Sequence, residues 1–338
     1  YGESENDVLD RFPLHLRICK DCGLGQLGEY VLPDRIFHDT YPYLSSASDY
    51  WVSHAKQYAG EMTDKLSLDK DNLVIELGSN DGYLLSQFQK LGVTVLGVEP
   101  PENTAEIARQ AGVPTISKFF GENLANDILA EYGHPKLIVV NNVYAHVPDQ
   151  QDFTRGMALL ADDSTIITIE NPSFDILLKK GLFDTIYHEH YSYLTAHSVD
   201  AVAKKCGLHL FRVERLPTHG GSNRYYLSRS KQPDETVIAV LADEKKSGLF
   251  SEDKWDRRNR GWVHYDRNEL FGGIIYLTKN PDPDTGTSIY KAKLGIYDST
   301  PEQHSMKASL YSGKDINIDE YTKHFNEYHN QFIETVKV

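Results

Sequence analysis

Two histidines, one glutamate and three tyrosines fall within the seven residues Tyr187-His-Glu-His-Tyr-Ser-Tyr193. Such a cluster suits proton transfer. Histidine titrates near neutral pH, so an imidazole at His190 can act as a general base, a role that contributes about 10²–10⁴-fold in rate. A phenol at Tyr187 can donate to an oxygen on which negative charge builds, where a preorganised donor contributes about 2.7–4 kcal/mol. A carboxylate at Glu189 can orient an imidazole or hold a hydroxyl or amine. An extended backbone sends Tyr187 and Glu189 to one side and His188 and His190 to the other, so these groups act together only across a turn. A closed hydrogen-bonded network of the same side chains would be structural instead. His146 follows the apolar run Leu137-Ile-Val-Val140, at the carboxyl end of a strand, where open α/β sheets place ligands. A satisfied loop histidine is the plain alternative.

A second constellation is Glu76-Leu-Gly78-Ser-Asn80-Asp-Gly82, lying between an apolar run and a helical stretch. Glycines there let a ligand approach the backbone, and the start of a helix offers N–H groups. Glu99 closes the next apolar run, where an acidic side chain accepts both hydrogen bonds of a ribose diol. The loop lacks Gly-x-Gly-x-x-Gly, so an adenosyl cofactor fits it better than a dinucleotide with its pyrophosphate. Gly220-Gly221-Ser222-Asn-Arg224 offers backbone N–H groups and a guanidinium for a substrate diphosphate. Two metal half-sites complete the inventory. Cys19 and Cys22 have zinc-ligand spacing, but a closed site needs four ligands, and Cys206, His15 and His38 are what the sequence adds. His264 and Asp266, two apart on a strand, would share one face as two legs of a 2-His-1-carboxylate iron site. His304, His324 and His329 are candidates for the third leg by residue type.

These residues need elements to hold them. The run Leu73-Val-Ile75, the Gly78 loop, a helical stretch over 83–91 and the run Val93-Thr-Val-Leu-Gly-Val98 predict the βαβ opening of a mononucleotide-binding fold. Apolar runs at 137–140 and 165–169 alternate with helical stretches at 104–111 and 152–160. That alternation predicts a parallel sheet covered by helices. Upstream of about residue 40 the text is short and turn-rich, and reads as a small separate module over 1–40, ahead of a main domain over 41–254. The polar stretch over 255–338 holds the strand-like Gly273-Ile-Ile-Tyr-Leu277 and a Pro/Asp/Gly turn cluster at 280–286, and predicts a β-rich tail.

Composition bounds the partners. With 35 basic against 49 acidic side chains and a formal charge of −14, non-specific binding to a nucleic-acid backbone is disfavoured. No apolar run approaches the roughly 18 residues of a membrane span, and the acidic N-terminus is unlike a signal peptide. The expectation is a cytoplasmic chain with neither nucleic-acid nor membrane partner. Three cysteines are too few for a disulfide scaffold.

Across these motifs the chain resembles the sugar C-methyltransferases that act on deoxysugar nucleotides. The resemblance runs from Cys19-x-x-Cys22-Gly-Leu-Gly-Gln through Tyr43-Leu-Ser-Ser-Ala-Ser, Glu76-Leu-Gly-Ser-Asn-Asp-Gly and Asn141-Asn-Val-Tyr-Ala-His146-Val-Pro-Asp149. It continues through Glu170-Asn-Pro and Tyr187-His-Glu-His-Tyr-Ser-Tyr193 to His219-Gly-Gly-Ser-Asn-Arg224. It implies a class I methyltransferase, Rossmann-like parallel sheet flanked by helices, with a truncated zinc-binding-like module before it. It also implies S-adenosylmethionine held by Glu76, Gly78, Asn80, Gly82, Glu99 and Asn142. The nucleotide-sugar substrate would meet Tyr43, His188, Gly221, Ser222 and Arg224. Methylating a sugar carbon beside a ketone requires an enolate, which His190 would generate and Tyr187 would steady, with Glu189 and His146 beside them.

The resemblance breaks at both ends. The family carries a second cysteine pair upstream and a second Rossmann-like half after Leu249, neither of which this sequence includes. The tail, with Gly261-Trp-Val-His264-Tyr-Asp266, instead resembles iron(II)/2-oxoglutarate dioxygenases. Two alternatives therefore accompany the methyltransferase reading: an iron-dependent hydroxylase acting through the tail, and a non-catalytic adenosyl- or sugar-binding protein.

Overall fold

The computed structural model describes residues 14, 16–19, 21–27, 31–180, 182, 185–250, 274–278 and 289–293. The chain begins with an antiparallel pair, β1 (Leu16–Ile18) and β2 (Gly25–Leu27), followed by the single turn α1 (Pro33–Ile36) and the long helix α2 (Asp49–Leu66). Ser48 caps α2 by accepting the Trp51 N–H, and Ser67 ends it in the left-handed region. Between these caps Ala55, Tyr58, Ala59 and Met62 are buried, the spacing of one apolar helix face.

The expected alternation follows: β3 (Leu73–Leu77), α3 (Leu85–Lys90), β4 (Thr94–Val98), α4 (Glu102–Gln110), β5 (Thr115–Ile116), α5 (Glu122–Tyr132), β6 (Leu137–Asn141), α6 (Gln150–Leu160) and β7 (Ile166–Pro172). Every residue of β6 is buried. Helices on both faces explain why this strand and its neighbours read as continuous apolar runs rather than alternating ones. The chain continues through α7 (Phe174–Lys180), β8 (Ser192–Tyr193), α8 (Ala196–Lys205), β9 (His209–Leu216), β10 (Ser222–Ser228) and α9 (Glu235–Lys246).

The main sheet has the order β5-β4-β3-β6-β7-β10-β9. Its first five strands run parallel, and β10 lies antiparallel between β7 and β9. Strand order reverses between β3 and β6, which opens a crevice at their carboxyl ends.

The described residues before 40 are tied to the chain that follows, since β2 pairs with β8 through Gly25↔Tyr193 and Gln26↔Ser192. Leu14 and Leu27 share one apolar cluster with Phe174, Leu177 and Leu249, so the segment is sealed by burial as well as by hydrogen bonds. In the tail, β11 (Ile274–Thr278) pairs antiparallel with β12 (Ile289–Lys293). His264, Asp266, His304, His324 and His329 lie outside the described residues. Among those described, no helix is long and apolar enough to cross a membrane.

Candidate functional site

A cavity of about 560 Å³ opens where the strand order reverses. Gly78 and Asn80 line it from the loop after β3, Glu99 and Pro100 from the end of β4, and Asn141, Asn142 and His146 from the end of β6. Residues ahead of the main sheet close it from outside, among them Leu32, Phe37, Tyr41 and Tyr43.

The loop after β3 is shaped by its backbone. Gly78 has φ +71, and a Cβ there would lie 2.3 Å from Val143 Cγ2. Gly78→Ala therefore combines left-handed strain with a clash, and should destabilise the fold by about 1–3 kcal/mol. Thermal melts of that variant beside the Gly78→Ala/Val143→Ala pair check this: the pair should recover the clash but not the strain, and a neutral single variant would count against the packing.

The sequence suggests unoccupied N–H groups in this loop, and the structure corrects that. Gly78 and Ser79 both donate to the Val98 carbonyl, Gly82 donates to Ser79 O, and Asn80 donates to Glu99 Oε2 at 2.8 Å. With these amides spent the loop is a poor phosphate cradle, as the missing third glycine already indicates. The Asn80 side chain is also engaged, accepting the Ser45 N–H and donating to Tyr43 O, while Asp81 accepts the Ser46 N–H. The loop thus fastens residues 43–46 over the cavity.

Gly82 faces Val113 and Ala108 and is not part of the cavity wall. Glu76 is not either: it is 1% exposed, and burial, then Glu99 and Asp81, push its carboxyl well above the usual range. Of the residues expected to hold a cofactor, Gly78, Asn80, Glu99 and Asn142 remain at the cavity.

These residues fit an adenosyl group carrying an amino-acid tail. Burial raises the Glu99 carboxyl to about 7 despite the Asn80 amide. Its second oxygen is left for a diol. The side-chain oxygens of Asn141 and Asn142 are buried with no hydrogen-bond partner among the described residues, acceptors suited to an ammonium. Asn142 is held in the left-handed region, φ 55, by its N–H bond to Glu170 O.

The turn required by the proton-transfer cluster is present, with the His190 N–H donating to Tyr187 O at 3.0 Å. It brings the Tyr187 and His190 rings within 4.4 Å and the Tyr187 hydroxyl within 3.2 Å of His190 Nε2. His190 Nδ1 lies 2.7 Å from Thr185 O, and His146 Nδ1 lies 2.8 Å from Glu189 O. A carbonyl only accepts, so in each ring Nδ1 carries the proton and Nε2 carries the lone pair. The two imidazoles meet edge to face at 4.7 Å. Burial lowers His146 to about 4, and burial together with His146 lowers His190 to about 3. Both are therefore neutral near pH 7. Burial also raises Glu189. His146 and Tyr41 line the cavity, and residues 187–190 are not part of its wall but reach it through the contact of His190 with His146. Tyr43 lines it too and is half exposed.

The expected diphosphate grip is not formed by the side chains named for it. Every residue of β10 is buried, because that strand lies inside the sheet. Arg224, 2% exposed, binds Glu170 at 2.7 Å, reaches Glu214 at 3.4 Å and covers the Tyr58 ring at 4.5 Å. Ser222 donates to Thr218 O, and a Cβ on Gly221 would strike Ile176. Burial works against ionisation of Glu170, yet the His54 hydrogen bond and the Arg224 charge hold its carboxyl below the ordinary range.

At the N-terminus, Cys19 and Cys22 bracket a tight turn in which the Gly23 N–H donates to Cys19 O. His38 bonds Thr40, Cys206 approaches Gln151 O, and His15 is outside the described residues. Among those described, no group of three or more His, Cys, Asp or Glu is placed to hold a metal ion.

Sequence reasoning did not single out Trp51, Tyr41 or the ring of His219 as site residues, yet all three line the cavity. The available signals were weak: an aromatic residue in the first turn of an amphipathic helix, and a histidine immediately before two glycines.

Residues 51–213 match a family model described as a methyltransferase domain. The chain is 31% identical over 241 residues to the C-methyltransferase NovU of Streptomyces niveus, a match covering 70% of this chain and 57% of that protein. It therefore spans little more than half the length of this curated relative. Magnesium protoporphyrin IX methyltransferase of Synechocystis, solved with S-adenosylhomocysteine, is 18% identical over 53% of this chain and 83% of that one, with a TM-score of 0.41. A SAM-dependent methyltransferase of Anabaena variabilis is 11% identical over 52% and 84%, with a TM-score of 0.42.

Proposed function

We propose that the chain transfers a methyl group from S-adenosylmethionine to a carbon beside the ketone of a nucleotide-linked deoxysugar, a reading supported by the match of residues 51–213 to a methyltransferase-domain model. The name of the Streptomyces relative, a C-methyltransferase, supports carbon as the acceptor atom. S-adenosylmethionine supplies a methyl group on a sulfonium, an electrophile that already carries its positive charge. Glu99 accepts the ribose hydroxyls, and Asn141 and Asn142 take the amino-acid end. Neither role needs a metal.

Carbon brings no lone pair, so the protein must create one by removing a proton next to the ketone. The observation that carries this reading is the fixed tautomer of His190: with Nδ1 held by Thr185 O, Nε2 presents a lone pair where the Tyr187 hydroxyl already donates. When the acceptor's C–H replaces that hydroxyl at Nε2, Tyr187 turns its O–H to the forming enolate oxygen. The negative charge growing on the acceptor raises the proton affinity of the neighbouring imidazole, which offsets the lowering that burial and His146 impose. His146 borders both the cavity and His190 and keeps that ring in place.

Titration with S-adenosylhomocysteine tests the cofactor half. A diol donates to the ionised Glu99 carboxylate, so affinity should rise as pH increases through about 7 and level off above it. Glu99→Gln should weaken binding about tenfold and flatten this pH dependence. No binding by folded protein would remove the reading.

A further inference from the structure

We propose that Trp51 and His219 form an aromatic platform at the far end of the cavity, taking the C–H-bearing ring face of the acceptor sugar. The inference rests on the methyl-transfer reading and adds the residues that select its acceptor.

Position argues first. Glu99 stands at the end of β4, and His219 stands in the turn that enters β10. Between β4 and β10 the sheet order interposes β3, β6 and β7. At about 4.8 Å per strand, four spacings put the two ends roughly 19 Å apart. A nucleoside anchored at Glu99 cannot also cover His219, so that end of the cavity is left for a second ligand.

Chemistry argues second. The Trp51 and His219 rings lie 4.9 Å apart, tilted by 38°, and both line the cavity. Two tilted rings in contact present an apolar face with few polar groups, the surface that fits the C–H patches of a deoxysugar. A diphosphate would need cations, and Arg224, the cation expected here, is committed to Glu170.

Construction argues third. His219 holds φ 50, ψ 37, an uncommon conformation for a residue with a side chain, and such residues concentrate where ligands are held. One buried carboxylate ties both halves of the platform. Glu170 meets His54, one turn along α2 from Trp51, at 2.9 Å, and accepts from Thr218, the residue before His219, at 3.4 Å. The His54 ring also sits against Trp51 at 5.5 Å.

His219→Asn is the informative variant, because asparagine tolerates the left-handed backbone and removes only the ring. Calorimetric titrations of the chain saturated with S-adenosylhomocysteine would use three probes: dTDP-4-keto-6-deoxyglucose, UDP-4-keto-6-deoxyglucose and dTDP alone. For whichever sugar nucleotide the wild type binds, His219→Asn should weaken affinity about tenfold, while dTDP and S-adenosylhomocysteine affinities stay within about twofold. Equal sugar affinity in variant and wild type would overturn the platform and leave the methyl-transfer reading standing. A parallel loss of dTDP affinity would place the nucleobase there and also overturn it. A wild type that takes S-adenosylhomocysteine but neither sugar nucleotide would remove the acceptor reading and the platform together.

Discussion

His190→Gln should lower kcat for methyl transfer to a keto-sugar nucleotide by about 10²–10⁴-fold, the span of a lost general base. Affinity for S-adenosylhomocysteine should stay within about twofold, since His190 touches none of Gly78, Glu99 or Asn142. Exchange of the substrate's C–H for solvent deuterium separates this role from a structural one: the variant should lose exchange in step with methylation. Retained exchange alongside lost methylation would move His190 from proton removal to positioning. Tyr187→Phe should fall by a smaller factor, because it removes the oxyanion donor and leaves the lone pair at Nε2 in place.

The second large effect concerns stability. Glu170→Ala leaves the buried Arg224 guanidinium, held chiefly by that carboxylate, without its partner in the interior. Removing one member of a buried pair costs about 3–5 kcal/mol, much of it the uncompensated charge rather than the lost attraction. Replacing both, as Glu170→Met with Arg224→Met, should recover much of the loss. Urea unfolding of the two single variants and the pair gives the coupling directly. Additive losses, with no recovery in the pair, would mean that the two residues do not act as a unit. The carboxylate is held below its ordinary value, so its contribution is present above the usual carboxylate range and is lost as pH falls through the depressed one.

How much of this the sequence displayed depended on where each partner lay along the chain. β3, β4, β6 and β7 are legible as apolar runs because a parallel sheet buries both faces of its strands. The Gly78 loop and Glu99 are legible because strand, turn and helix follow one another locally. Gly221, Ser222 and Arg224 read as a polar grip because the residue that neutralises Arg224 stands 54 positions earlier, and nothing local indicates that β10 is inserted between two other strands. A still larger separation along the chain hid the pairing of Trp51 with His219. Residue types at 187–190 serve a strand or a turn equally well, and the hydrogen bond from His190 N–H to Tyr187 O supplies the turn that the cluster needs.

The family match begins at Trp51, yet the cavity is walled from Leu32 onward, and residues 43–46 are stitched to the loop that borders the cofactor end. The shared core is thus a vessel without its front panel. Residues 32–48 and their anchors at Asn80 and Asp81 are therefore one unit: a graft that moved the panel without the stitch would leave it unfastened.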